Sequence, residues 1–136
     1  MALNRREARA AVFELLFETE FKLDEAREAI FELSTDNREV EEDEYVRTTY
    51  FGVCEHVEAL DELIGRHAHG WKTNRISKVS RSILRLATYE MLYLADIPAS
   101  VSLNEAIELA KKFEDEKARS FINGILNGIK TELGKE

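Results

Sequence analysis

One proline, Pro98, stands in a chain of 136 residues, and on both sides of it apolar residues recur every three or four positions. Proline lacks a backbone N–H and clashes with the turn before it, so it ends helices. Over residues 77–94, Val79, Ile83, Leu86, Ala87, Met91 and Leu94 share one side of a helix stepped at about 100° per residue. Asp96-Ile97-Pro98 stops that helix. Ser102 with Glu105 three residues on reads as a capping box, which opens a helix over 103–113 that buries Ala106, Leu109, Ala110 and Phe113. A short charged loop leads into a last helix over 117–133. It buries Ile122, Ile125, Leu126, Ile129 and Leu133, and Gly134 ends it.

The amino-terminal half has the same period. A first helix over 4–21 caps at Asn4, with Glu7 in the capping-box position. Ala8, Ala11, Val12, Leu15 and Leu16 lie on one face, and Phe13, Phe17 and Phe21 form a second stripe. Two stripes imply a helix packed on both sides, or one side kept for a partner. A short helix over 24–33 buries Ala26, Ala29, Ile30 and Leu33, and 34–42 is a polar loop. A long helix over 43–64 carries Val46, Tyr50, Val53, Val57, Leu60 and Ile64 as a bundle seam, with Gly52 inside it for close packing. Residues 67–74 form a loop. No alternating pattern competes, so the fold class is all-α. We expect one domain over 1–136, a bundle of about six to seven helices in two packed sub-bundles sharing the first helix.

At 44% apolar and 34% charged residues the chain is globular rather than disordered. The arginines near the start have no apolar segment behind them, so no signal peptide is expected, and no apolar run reaches a membrane span of ~18 residues. The single cysteine, Cys54, excludes an internal disulfide and fits a reducing cytoplasm. A net charge of −8 argues against indiscriminate nucleic-acid binding. The charges are segregated, however. Arg66, Lys72, Arg75, Lys78, Arg81 and Arg85 occupy 63–89 without one acid, and Arg5, Arg6 and Arg9 crowd the start against Glu7 alone.

Cations at a helix start oppose the helix dipole, so Arg5, Arg6 and Arg9 do not serve their own helix. An external phosphate resolves the conflict, because guanidinium forks bind its oxygens in pairs. A solvated basic end is the alternative reading. Phe121 lies one step off the core face of its helix, four residues after Lys117. A ring beside a cation can stack an unpaired base, and a core phenylalanine is the alternative. Lys78, Arg81 and Arg85 are read as facing away from the core, toward RNA, a protein partner or solvent. Glu90 sits on an apolar face with no second carboxylate or histidine at fixed spacing, so it reads as a paired structural residue. His67-Ala68-His69 lacks further ligands for a metal. No catalytic group, cofactor site or metal site is expected.

Residues 81–127 carry arginine-flanked Ile83-Leu84-Arg85-Leu86-Ala87 with Tyr89-Glu90, then Asp96-Ile97-Pro98, Asn104-Glu105-Ala106 and Phe121-Ile122-Asn123-Gly124. In that order the segment resembles the carboxy-terminal half of the NusB family of bacterial transcription antitermination factors. The resemblance implies an adaptor without catalysis. It implies binding of single-stranded boxA RNA in ribosomal RNA leader transcripts, with NusE, a small-subunit ribosomal protein, as co-binder, on the RNA polymerase elongation complex. It implies RNA contacts at Arg5, Arg6, Arg9, Lys117 and Phe121. It places a partner surface at Phe17, Ser80, Arg81 and Arg85, with Ser80 standing where the family usually has an acid. No membrane is implied, and a monomer or a homodimer is compatible. Two other readings remain. One is the NusB-like amino-terminal domain of a ribosomal RNA methyltransferase. The other is a helical protein-interaction module using the phenylalanine stripe.

Overall fold

A computed structural model describes residues 3–35, 37–70, 72 and 75–135, and every regular element among them is helical. The chain divides into two compact units, residues 1–55 and 56–136. The first unit holds α1 (Arg5–Thr19), α2 (Arg27–Ser34), α3 (Arg38–Glu42) and α4 (Glu44–Glu55). The second holds α5 (Val57–His67), α6 (Lys78–Tyr93), α7 (Ala99–Phe113) and α8 (Glu116–Glu132). Eight helices among the described residues exceed the expected six to seven, because the polar loop over 34–42 contains α3 and the long helix over 43–64 is two helices.

In the first unit α1 packs on α2 and α4. Asn4 and Glu7 form the expected capping box. The Asn4 side chain accepts from Glu7 N–H at 2.8 Å and the Glu7 carboxylate accepts from Asn4 N–H at 2.9 Å. The core there includes Val12, Phe13, Leu16, Val46, Tyr50 and Val53. The Tyr50 hydroxyl shares a hydrogen bond of 2.7 Å with Thr19 Oγ1, which also lies 2.7 Å from the Leu15 carbonyl. Burial pushes the Tyr50 phenol well above its ordinary pKa. The α2 face differs from the expected one. Ile30 and Phe31 are buried, whereas Leu33 is 76% exposed. The Phe31 ring packs between Tyr50 and Phe51, with ring centres at 6.0 and 5.3 Å, and that aromatic cluster turns Leu33 outward.

The break between α4 and α5 falls at His56, whose backbone (φ −109°, ψ 19°) leaves the helix. Its imidazole stacks on Tyr93 with ring centres 4.4 Å apart. No glycine or proline marks this break, so the sequence pattern runs through it.

In the second unit α6 packs on α5, α7 and α8, and eleven of its sixteen residues are buried. Ser77 caps it by accepting from Ser80 N–H. The helix after Pro98 starts earlier than the capping box suggested. It begins at Ala99, with Pro98 as the cap and its fixed φ of −58° leading in. Ser102 lies inside α7, buried, and donates from Oγ to Glu90 Oε1 at 2.7 Å. That bond gives the buried Glu90 a paired structural role. Phe113, expected in the core, is half exposed at the end of α7. Asp115 caps α8 by accepting from Ala118 N–H, and Gly134, with a φ of +68°, follows its end.

Candidate functional site

The candidate residues are divided between the two units. In the first, Arg5 and Arg6 are exposed at the first two positions of α1, directly after the Asn4 cap. The Arg5 guanidinium lies over the Tyr45 ring of α4, 4.3 Å from its centre. Such a contact holds an exposed cation by only about 0.5–1 kcal/mol, so it orients the arginine without consuming it. Arg9 departs from the expected surface triplet. It is 6% exposed, with its guanidinium 6.0 Å from the same ring. One helical turn past Arg5, it follows α1 into the packed part of the unit. Phe17 is half-buried in a graded stripe. Phe13 is core, Phe21 is 64% exposed, and the rings meet at 6.2 Å (stacked) and 5.2 Å (edge-on).

In the second unit a groove of about 340 Å³ opens where the starts of α6 and α8 meet the end of α7. Lys117 and Phe121, on one face of α8, line it, together with Arg75, Ser77, Ser80 and Glu114. Lys117 and Arg75 are exposed and Phe121 is half-buried. Ile76 and Ala118 supply an apolar wall. Glu114 is the residue that sequence reasoning missed. Its Oε2 accepts from Ser77 Oγ at 3.1 Å and from Ser80 Oγ. The only sequence signal for it was the absence of an acid at Ser80, and nothing in the spacing says that the carboxylate arrives from the end of α7.

The basic face read on α6 is not a solvated one. Arg81 is 9% exposed and Ser80 is 3% exposed. Arg85 forms a forked pair with Asp61 of α5, Nε to Oδ1 at 2.8 Å and Nη2 to Oδ2 at 2.7 Å. Lys78 alone stays exposed at the start of α6, while the neighbours packed on this helix bury Arg81 and pair Arg85, so the outward reading holds for Lys78 and fails for the other two. Elsewhere, Arg66 Nη2 and His67 Nε2 reach Glu132 at 2.5 and 2.7 Å. The hydrogen bond from Arg66, then that from His67, holds the Glu132 carboxyl down at about 2. Trp71, Thr73 and Asn74 of the expected loop lie outside the described residues. Among those described, no group of three or more His, Cys, Asp or Glu side chains could hold a metal, and no helix is long and apolar enough to cross a membrane.

Together these features define an all-α protein that presents arginines at one capped helix start and a lysine with a phenylalanine at another. Comparison with known proteins gives the family. The model of the NusB family matches residues 6–131. The chain is 47% identical to the transcription antitermination protein NusB of Bacillus velezensis, covering 96% of this chain and 98% of the relative. It is 46% identical to that of Bacillus subtilis with the same coverage. A crystal form of T. maritima NusB superposes with a TM-score of 0.86 at 43% identity, covering 97% of this chain and 94% of that one. A crystal structure of antitermination factors NusB and NusE in complex with dsRNA superposes at 0.81 and 26% identity, covering 94% and 96%. This chain belongs to the NusB family.

Proposed function

We propose that this protein is a noncatalytic, cytoplasmic transcription antitermination adaptor. It binds boxA-type single-stranded RNA in ribosomal RNA leader transcripts together with NusE, and the assembly rides on the RNA polymerase elongation complex. The observation that carries this reading is the pair of exposed guanidiniums, Arg5 and Arg6, at the start of a helix whose cap is already satisfied by Asn4 and Glu7. Cations at a helix start oppose its dipole, and exposed guanidiniums fit a phosphate chain. Lys117 and Phe121 offer the second unit's contribution, a cation and a ring for a splayed base. Relatives close to half identical over nearly their whole length carry the antitermination name, and a solved relative is held with NusE in complex with dsRNA. With a net charge of −8, the rest of the chain keeps binding weak until NusE adds its surface.

The test is fluorescence anisotropy with labelled boxA RNA against a scrambled strand, with and without NusE. The expected result is weak, selective binding by the protein alone and markedly tighter binding with NusE. Equal affinity for the two strands in the presence of NusE refutes the proposal.

A further inference from the structure

We infer that the groove lined by Glu114 and Phe121 selects a guanine: the ring stacks on Phe121 and its Watson–Crick edge donates to the Glu114 carboxylate. This rests on the RNA-binding reading above and adds a base preference to it. A carboxylate in a site for a polyanion is repulsive, so its presence there calls for a compensating contact. Glu114 is half-buried and clamped, since Ser77 Oγ and the buried Ser80 Oγ both donate to its Oε2. Among the described residues Oε1 takes no hydrogen bond. An ionised carboxylate only accepts, so the complementary edge must donate.

The four bases differ sharply in that respect. Uracil flanks its one N–H with two carbonyls, which the carboxylate repels. Cytosine and adenine place a ring-nitrogen acceptor beside the amine. Guanine alone sets two donors, N1–H and the N2 amine, side by side, so one reaches the open Oε1 and no ring acceptor is turned against the occupied Oε2. Stacking on Phe121 tolerates any base, so discrimination falls to Glu114. Exposed Lys117 and Arg75 line the same groove and offset both the carboxylate and the flanking phosphates.

The test uses the full chain in anisotropy titrations with oligouridine and with the same strand carrying one central guanosine. The wild-type protein is expected to prefer the guanosine strand by roughly tenfold, the discrimination of a good edge contact. Glu114→Gln keeps an acceptor for the two serines, so the thermal melt should hold. The preference should fall to about one while oligouridine binds as well or better. Equal binding of both strands by the wild type, or a preference that survives Glu114→Gln, overturns the inference alone. Failure to bind either strand overturns the RNA-binding reading and the inference with it. If Glu114→Gln weakens only NusE binding, the groove docks protein and the inference is likewise overturned.

Discussion

Replacing Arg5 and Arg6 together with alanine isolates the surface charge at the start of α1. Both side chains are exposed, and Glu7 Oε1 is engaged by Asn4 N–H, so the cap survives the change. Each phosphate contact to single-stranded nucleic acid contributes ~0.7 to the slope of log affinity against log salt. Two lost contacts should therefore flatten that slope by ~1.4. Between ~50 and ~200 mM salt, the wild type should lose roughly sevenfold more affinity than the variant. Stability should not fall much. Losing the Arg5–Tyr45 stack costs about 0.5–1 kcal/mol, while removing cations from a helix start returns a similar amount. Arg9→Ala behaves differently. Arg9 is 6% exposed, so its removal should lower the urea midpoint and leave the salt slope nearly unchanged. The control is Lys111→Ala with Lys112→Ala, an equal loss of exposed charge at the end of α7. Anisotropy titrations with boxA RNA at four or more salt concentrations give the slopes. An unchanged slope for the α1 variant, or an equal flattening by the α7 control, would refute the assignment.

Two further outcomes concern the fold. Ser102→Ala should destabilise by about 1–3 kcal/mol, since it strips a hydrogen bond from the buried Glu90 carboxyl. In a double-mutant cycle with Glu90→Gln by urea unfolding, strictly additive effects would show that Ser102 acts elsewhere. Glu132, held down at about 2 by Arg66 and His67 against a usual 4.5, binds its proton less readily when folded than unfolded. Its contribution is therefore complete above about pH 4.5 and fades as pH falls toward 2. Glu132→Gln should lower the unfolding midpoint near neutrality and narrow the gap to wild type through that acid range. A gap that stays constant down to pH 2 contradicts the assignment, and carboxyl NMR titration reads the group directly.

Much of this molecule is legible without coordinates. The spacing of apolar residues decides helix over strand, because a side chain's direction from a helix repeats every three to four residues wherever the helix sits. The caps at Asn4 and the end at Gly134 are equally local, built from hydrogen bonds and dihedrals of neighbouring residues. What the sequence leaves open is what each face meets. Ser102-x-x-Glu105 matches a capping box, yet the hydroxyl is taken by Glu90 from another helix. The cations of α6 look solvated until α5 brings Asp61 to Arg85. The seam over 43–64 runs unbroken through His56, and at the break the imidazole stacks against Tyr93 and Tyr89 of α6. Local chemistry thus determined the helices and their ends. Long-range packing alone decided which charges remain exposed and which are paired inside the protein, because a side chain's partner depends on elements far away in the chain.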